Sequence, residues 1–501
     1  MPPRPPTHDN KAGLAHWAQR TLEECDNASH EFAADPVHDL RVAIRRCRSM
    51  ADGFLSVDPD PAWKEMKRLG KALFSSLGDL RDVQVMLEWV TRLSEPDDPV
   101  RLVLLETLGQ KESQLKAAAQ EALHNFNRKR WTALNARLAK RAGRVPVEGL
   151  VFQHLALERW MDAHALHRQA LRNRTQVGYH RLRIGIKRFR YTCENFLPQR
   201  HEKWAKDLRE LQDALGEVHD FDVLKATIKA HPGIAAEDRE RWNKRIAEER
   251  QQRLDLYRQK MLGKNSLWPV WRDELPRGPS LQQAAMEKLR TWASFLDPDV
   301  NHSAHVTRLA LQLYDGLAKQ GIVIAEAEYR RILEAAAMLH EVGRSRGPEG
   351  HRKRAYSMIR RLKPPLGWSA EELQCVAVIA RYHGGALPQT SNSAFVGLTP
   401  KRRRALLPIA GILRLADAFD FSHDRQIDRV AVERRDGMLI VYGRGLQEIS
   451  PVAERVARAR YLLETTCACP IMVRPQAAKP AAASPVAGHA RKVAAGPRSS
   501  A

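Results

Sequence analysis

The sequence predicts a mainly α-helical protein: two pseudo-symmetric helical bundles, followed by a helical domain that ends in a small β-sheet. Three observations support this fold class. Apolar residues recur at helical spacing from about residue 12 to 262, a basic segment occurs twice within that span, and a second helical block runs from Leu281 to about Ala418. The length of 501 residues allows roughly three globular units.

The chain is strongly basic, with 82 Lys and Arg against 59 Asp and Glu and a formal net charge of +23. Such an excess attracts polyanions, including nucleic acid, anionic lipid and polyphosphate. Aromatic residues make up only 6% of the chain, which disfavours single-stranded nucleic acid as a ligand because that mode of binding needs stacking platforms. Charge alone does not choose among the other polyanions.

Targeting and redox signals are missing from the sequence. No apolar run approaches the roughly 18–20 residues of a membrane span, and the first residues contain no apolar signal segment. The six cysteines form no CxxC pair, so neither a zinc ribbon nor a disulfide framework is indicated. We expect a cytoplasmic protein without a membrane partner.

Changes in composition predict the domain boundaries. A stretch rich in Pro and Gly follows a long charged helix, which favours a linker there, and the carboxyl terminus lacks acidic and aromatic residues. The predicted segments are a disordered amino terminus 1–11, a helical domain 12–262 with repeats at about 12–145 and 150–262, a linker 263–280, a second domain 281–473 and a disordered basic tail 474–501.

The small sheet is predicted near the end of the second domain. Val430 and Val432 precede Asp436-Gly437, and apolar residues follow at 438–442, which is typical of a hairpin around an Asp-Gly turn. Residues 471–473 can add a third strand.

An internal repeat is the most informative feature of the first half. The basic segment 38–48 recurs at 180–190, and the block Leu77-Gly78-Asp79 recurs downstream as Leu215-Gly216-Glu217. At about 100° per residue, each basic segment places its cations on one helix face and its apolar residues on the opposite face. Like charges at i and i+4 disfavour a helix slightly, so an anion on that face would stabilise it.

Two interpretations of these basic faces are open. Most charge runs are solvated surfaces, but the occurrence of two matched copies favours a polyanion site, and guanidinium groups match phosphate oxygens well. The candidate polyphosphate-binding residues are His38, Arg41, Arg45, Arg46, Arg48, Arg68, Lys71, Arg81, His180, Arg183, Lys187, Arg188, Arg190, Lys206 and Arg209.

These motifs resemble the conserved histidine α-helical domain, CHAD, over residues 12–262. The HxxRVxxRRxR helices and the LGxxRDxDV-like blocks stand in both halves, with Gln84 in place of the usual Asp of the first block. The resemblance implies two four-helix bundles around a basic central pore, binding of inorganic polyphosphate, and localisation on polyphosphate granules. It implies a binding domain, and catalysis does not follow from it.

A second constellation combines histidines and carboxylates in the second half. His302 shares a helix arc with Val306 and Leu309, which turns it inward, and His340-Glu341 ends a helix. Asp417 adds a carboxylate from another helix. These four residues are the candidate ligands of a divalent metal that would activate a water.

The second half resembles the HD phosphohydrolase superfamily, most closely the helical carboxy-terminal domain of the exopolyphosphatase and guanosine pentaphosphate phosphohydrolase family. By that resemblance His302, His340, Glu341 and Asp417 occupy ligand positions, with His351 and His383 near the same pocket. The doublet is His-Glu where the superfamily has His-Asp, and Arg352 and Arg354 stand where it has histidines. The longer Glu side chain is expected to loosen a tight octahedral site.

These observations leave three function classes. In the exopolyphosphatase family an actin-like domain with phosphate-binding loops carries hydrolysis, and no Gly-rich loop between strands occurs here. The first hypothesis is therefore a polyphosphate-binding protein of polyphosphate granules with no certain cofactor. The second is a metal-dependent phosphohydrolase, using Mg, Mn or Co, that acts on polyphosphate or guanosine alarmones. The third is nonspecific nucleic-acid binding through charge. Nothing in the sequence is suited to reading the edges of bases.

Overall fold

The computed structural model describes residues 13–29 and 32–476. The chain divides into two compact units, Met1–Pro298 with Arg361–Leu373, and Asp299–Arg360 with Gln374–Ala501. Both are built of helices, and the second also holds a three-stranded sheet. The predicted fold class is confirmed. Among the described residues no helix combines the length and apolar character needed to cross a membrane.

The described residues of the first unit form twelve helices. They are α1 (Leu14–Ser29), α2 (Ala34–Phe54), α3 (Ala62–Leu69), α4 (Lys71–Leu93), α5 (Pro99–His124), α6 (Arg128–Ala142), α7 (Leu150–Asn173), α8 (Gln176–Phe196), α9 (Pro198–Ala230), α10 (Ala236–Met261), α11 (Leu267–Asp273) and α12 (Gly278–Ser294). Side-chain caps fix several helix starts, because Asp98 accepts from Val100 N, Asn127 from Arg130 N and Thr175 from Gly178 N.

The two repeats meet at α2 and α8. Within each repeat the basic helix packs against the helix of the Leu-Gly block, α2 on α4 and α8 on α9, and α2 and α8 also pack on each other. An aromatic cluster joins the repeats at the ends of these helices: Phe152 stacks on Phe196 with 4.0 Å between ring centroids, and Phe54 meets both rings edge-on. The four motif helices are therefore neighbours.

The segment 263–280, where the sequence predicts a linker, contains α11 and the start of α12. Trp268 and Trp271 of α11 are buried in the core of the first unit, and α12 packs against α7. Proline and glycine content favours a linker in the sequence, but burial of two indole rings holds this segment against the first unit.

The second unit contains seven helices and three strands in the part of the chain up to residue 476 that the structure describes. The helices are α13 (Val300–Lys319), α14 (Ala327–Leu339), α15 (His351–Arg360), α16 (Ala370–Arg381), α17 (Pro400–Phe419), α18 (Pro451–Ala459) and α19 (Tyr461–Cys467), with 3₁₀ turns at Val342–Arg346 and Ser393–Phe395. The strands are β1 (Arg429–Arg435), β2 (Met438–Arg444) and β3 (Ile471–Pro475). Helix α16 begins in the segment assigned to the first unit and continues in the second.

The sheet has the order β1-β2-β3, with an antiparallel hairpin followed by a parallel pair. Asp436 and Gly437 form the turn with positive φ angles of 50° and 77°, as the Asp-Gly dipeptide predicts. The strand β3 includes Arg474 and Pro475, which pair with Tyr442 and Gly443, so these two residues belong to the sheet and the predicted tail begins later. The rest of that tail, from 477, and the amino terminus 1–11 lie outside the described residues.

Candidate functional site

The basic faces of α2 and α8 are separated from apolar faces, as the repeat predicts. Leu40, Ile44 and Cys47 of α2 are fully buried, and Leu182 and Ile186 of α8 are buried likewise. The opposite faces carry the cations, which lie at partly buried or exposed positions. We call the set Arg41, Arg45, Arg183 and Lys187 the cationic stripe.

The glycine of each Leu-Gly block lies next to an arginine of the stripe, where a larger side chain would take up space. A methyl group on Gly78 of α4 would come within 2.7 Å of Arg41 Nη1, whereas one on Gly216 of α9 would lie 4.0 Å from Arg183 Nε. The two signature segments of each repeat therefore meet in space. Their pairing in the sequence has a physical reason, because the block helix leaves room for the guanidinium.

In the described part of the chain, the stripe holds buried guanidinium nitrogens without hydrogen bonds, although Arg41 and Arg45 lie over the rings of Phe74 and Tyr191. Arg41 Nη1, Arg45 Nε and Arg183 Nε are buried atoms without a hydrogen bond among the described residues. Burial is the main cause that lowers the pKa of Arg41, and burial together with Arg183, Arg45 and Arg41 lowers the pKa of Lys187 to about 7. The stripe therefore favours an anionic ligand that can supply the missing contacts.

Two carboxylates face the stripe, and the sequence analysis did not single them out. Burial raises the pKa of Asp82 although Arg41 and Arg183 lower it, and burial raises the pKa of Asp220 to about 6 with a further contribution from Asp82. The sequence signal that could have identified them is their equivalent position in the two Leu-Gly blocks. They reduce the positive charge of the stripe at high pH.

Several predicted residues instead have protein partners. Arg46 binds Glu194 and Asn195 of the other repeat, with 2.9 Å between Arg46 Nη1 and Asn195 Oδ1. Arg48 donates to the Lys67 carbonyl at 2.7 Å, and Arg81 pairs with Glu88 at 2.8 Å. These three contacts indicate roles in holding the helices.

The remaining predicted residues lie outside the stripe. His180 and Arg190 are half-buried, with 4.7 Å between the ring centroids of His180 and His219 and 3.9 Å between Arg190 Nε and Glu194 Oε2. Exposed positions hold the other six, which are His38, Arg68, Lys71, Arg188, Lys206 and Arg209.

In the second unit, three of the four candidate metal ligands come together. His302 of α13, His340 after α14 and Asp417 of α17 surround one point, with Asp417 Oδ1 at 3.3 Å from His302 Nε2 and 3.4 Å from His340 Nε2. Both histidines are buried. We call these residues group A.

The fourth candidate, Glu341, belongs to a neighbouring cluster with His351 of α15 and His383, which follows α16. Glu341 Oε1 lies 3.4 Å from His351 Nε2 and 3.5 Å from His383 Nε2. We call these three residues group B. Glu341 Oε1 is also 3.9 Å from His340 Nε2, so the two groups are adjacent.

Hydrogen bonds to the backbone fix the orientation of three of these histidines. The Nδ1 atoms of His340, His351 and His383 each lie 2.7 Å from the carbonyl oxygen three residues earlier, of Ala337, Pro348 and Ala380. When Nδ1–H donates to a carbonyl, the lone pair of Nε2 is left to face the cluster.

The side chains of group A are also oriented as metal ligands would be. His302 uses Nδ1 with the buried Asp420 at 2.8 Å and turns Nε2 to Asp417, and His340 Nε2 is buried without a hydrogen bond among the described residues. This donor set of imidazole nitrogen and carboxylate oxygen fits a divalent metal, without selecting its identity.

The protonation states reflect strong coupling within the clusters. Burial opposes the charged form of His302, but Asp417 and Asp420 outweigh it and raise its pKa to about 9. Burial likewise opposes ionisation of Glu341, yet His383, His340 and Arg344 lower its pKa to about 2. A metal would replace the proton of His302 as the partner of Asp417.

An outer layer of residues, which sequence reasoning missed, supports group A. Asp420 accepts from His302, and the ring of His423 stacks on that of His302 at 3.9 Å between centroids while Asp299 holds His423 Nδ1 at 2.8 Å. The position of Asp420 three residues after Asp417, on the same helical side, was the one available signal.

The basic runs of the second half separate into different roles. Arg354 Nε donates to the Gly343 carbonyl at 3.0 Å, and Arg402 pairs with Glu328 at 2.6 Å. These arginines hold the fold. Arg352 lies instead beside Gly384 and Gly385, next to the clusters.

Comparison with known proteins agrees with the motifs. Residues 12–229 match the family model of the CHAD domain, and residues 283–437 match that of the Ppx/GppA phosphatase, domain III. Both domains point to a function related to polyphosphate or to phosphate hydrolysis. No curated protein matches the chain.

Among solved structures, the crystal structure of the CHAD domain from the plant Ricinus communis is similar, with 23% identity over 49% of this chain and 88% of that chain. Its TM-score of 0.39 is too low to support a conclusion.

Proposed function

We propose that this chain, which joins a CHAD domain to a Ppx/GppA domain III, binds inorganic polyphosphate through the cationic stripe of its first unit. The observation that carries the proposal is the set of buried guanidinium nitrogens that, among the described residues, lack a hydrogen bond and lie on the two packed helices of the repeat. Association with polyphosphate granules would follow from the same binding.

The burial of the stripe favours a slender polyanion over a duplex. Arg41, Arg45 and Arg183 are partly buried where α2, α4, α8 and α9 meet, so a ligand must enter between helices to reach them. A single phosphate chain can do this, and planar guanidinium forks can bind its successive oxygens. The backbone of a DNA duplex meets only the exposed cations around the site.

Competition binding tests this proposal. Long-chain polyphosphate is expected to displace duplex DNA at equal phosphate concentration and physiological salt, and Arg45→Ala with Arg183→Ala is expected to remove that preference. Arg435→Ala, on an exposed strand position, is the control because it removes the same kind of charge outside the stripe. Displacement of polyphosphate by DNA would contradict the proposal.

A second candidate function, a metal-dependent phosphohydrolase, is favoured by the adjacency of groups A and B. Six side chains direct nitrogen and oxygen ligands into one buried region, and backbone carbonyls preset three of the imidazoles. Divalent metal ions bound there would supply Lewis acidity and an activated water. This is the enzyme alternative that the sequence left open.

The chain's own residues would have distinct tasks in that reaction. Asp417 contacts both His302 and His340, so it fixes the spacing within group A. Asp420 holds the His302 ring through Nδ1. Arg344 binds Glu341, which leaves the other carboxylate oxygen directed at His351 and His383.

Phosphate release separates the enzyme from the binder. If the second unit is an enzyme, the wild-type chain releases phosphate from polyphosphate or a guanosine alarmone with Mg, Mn or Co. Asp417→Ala is then expected to lower the rate of phosphate release at least about a hundredfold. Polyphosphate affinity is expected to stay unchanged in that variant, and the exposed His124→Ala is the activity control. Absence of release from the wild type with all three metals would leave binding alone.

A further inference from the structure

A cavity of about 570 Å³ in the second unit opens beside the two ligand clusters. Its wall includes Asp417 of group A and His383 of group B, so a ligand in the cavity is in contact with both clusters. The wall also includes Arg414 of α17, one helical turn before Asp417, and Arg455 of α18. The cavity therefore joins the candidate metal region to a cationic surface.

A third arginine, Arg352, lies against Gly384 and Gly385, two residues of this wall. A methyl group on Gly384 would lie 2.9 Å from Arg352 Nη1, and one on Gly385 would lie 2.9 Å from Arg352 Nη2. Gly385 also has a positive φ of 71°, and its carbonyl accepts from Arg414. The glycine pair thus leaves room for the guanidinium of Arg352 and accepts a hydrogen bond from that of Arg414.

The three arginines form a cluster around Arg414. Burial, then Arg352 and Arg455, lower the pKa of Arg414, and Asp417 opposes them, so Arg414 interacts with both other arginines. Among the described residues Arg414 Nη1 is buried without a hydrogen bond, and Arg455 lies over the Phe421 ring at 5.2 Å. Across the described ranges 13–29 and 32–476, none of the three forms an ion pair, whereas the neighbouring Arg458 binds Glu454.

We infer that Arg352, Arg414 and Arg455 form a subsite for a phosphate group that adjoins the one held at groups A and B. The cavity would then take a ligand with at least two consecutive phosphates, because one phosphate at the clusters leaves the arginines without an anion. This inference rests on the second proposed function, the hydrolase. An inorganic phosphate chain and the phosphate tail of a nucleotide share the required chemistry.

The first test measures anion binding without metal. Calorimetry with tripolyphosphate in EDTA uses the full chain carrying Arg45→Ala and Arg183→Ala, so that binding by the first unit is weakened. Adding Arg352→Gln and Arg455→Gln is expected to reduce affinity at least about tenfold, since two charge-assisted contacts to phosphate are lost. Lys353→Gln and Arg434→Gln are the controls, because both side chains are exposed and neither lines the cavity. Equal affinity in the arginine variant and its parent would overturn the inference.

The second test uses hydrolysis and identifies the ligand source. With Mn, the arginine variant is expected to raise KM for tripolyphosphate about tenfold and to leave KM for p-nitrophenyl phosphate unchanged. An equal change for both substrates would overturn the subsite. A parallel KM change with GTP would show that nucleotide tails also enter. If the parent releases no phosphate, the hydrolase proposal fails and the calorimetry decides the subsite alone.

Discussion

Gly78 and Gly216 occupy equivalent places in the two repeats but leave different amounts of space. Gly78→Ala puts a methyl group within 2.7 Å of Arg41 Nη1, and the flexible guanidinium must move, whereas Gly216→Ala meets Arg183 only at 4.0 Å. We therefore expect Gly78→Ala to weaken polyphosphate binding several-fold and Gly216→Ala to change it little. Both variants should melt at or above the wild-type temperature, because Ala favours a helix by about 1 kcal/mol over Gly. Equal affinities by titration would contradict this prediction.

Lys187 is expected to make polyphosphate binding depend on pH. Its pKa of about 7 in the folded chain lies below the ordinary 10.5, so the free protein loses this charge as pH rises through 7. A bound polyanion favours the protonated form, and affinity should therefore fall between pH 6 and 9. The titratable and charged groups that face Lys187 are Arg41 and Arg45 from α2, Arg183 from α8, Asp82 from α4, and Asp213, His219 and Asp220 from α9.

Lys187→Arg separates these contributions. Arginine stays charged, so the decrease in affinity between pH 7 and 9 should largely disappear in this variant. The decrease between pH 5 and 7 should remain, because Asp220 with its pKa of about 6 still loses its proton there. Titrations of long-chain polyphosphate at constant ionic strength measure both ranges. An unchanged profile above pH 7 would show that Lys187 does not contact the ligand.

The sequence predicted which individual residues are basic better than it predicted which residues they contact. Helical spacing placed Arg41 and Arg46 on a basic segment, but it could not show that Arg46 binds Glu194 of the other repeat. That pair depends on how α2 and α8 pack. The same limit hid Asp420, whose contact with His302 joins two helices over a hundred residues apart in the chain.

At the scale of elements, the close packing of α15 on the 3₁₀ turn Val342–Arg346 positions His351. A methyl group on Gly343 would lie 2.0 Å from the His351 carbonyl oxygen and 2.8 Å from Ala355 N, both backbone atoms that cannot move aside. Gly343→Ala should lower the free energy of unfolding by about 1–3 kcal/mol and displace His351 from group B. Gly109→Ala in α5, where nothing lies within 4 Å, is the control. Thermal unfolding measures the difference, and equal melting temperatures would contradict the prediction.

The elements that the sequence predicted correctly are those governed by local chemistry. The hairpin between β1 and β2 follows from the Asp-Gly turn and its flanking apolar residues. The helix α11 was missed because its proline and the glycines around it favour a linker, while its two buried tryptophans gain their stability from packing in the first unit. Local composition does not report such contacts.

For the whole molecule, the question is whether net charge or the stripe determines affinity. Replacing Arg41, Arg45, Arg183 and Lys187 with Ala lowers the formal charge of +23 by four. A control with Lys129, Arg172, Arg277 and Arg435 replaced by Ala, all at exposed positions, lowers it equally. If the long-range field of the protein dominates, the two variants lose the same affinity.

We expect them to differ, because counterion release counts phosphate contacts rather than total charge. Each lost contact removes about 0.7 from the slope of log affinity against log salt, so the stripe variant at pH 6.5 should lose about 3 in slope while the control changes little. Polyphosphate titrations between 50 and 300 mM salt measure both slopes, with about fourfold or smaller affinity changes expected in the control. Since both variants carry the same net charge, equal slopes would place binding on the general basic surface and exclude the stripe as the polyphosphate site.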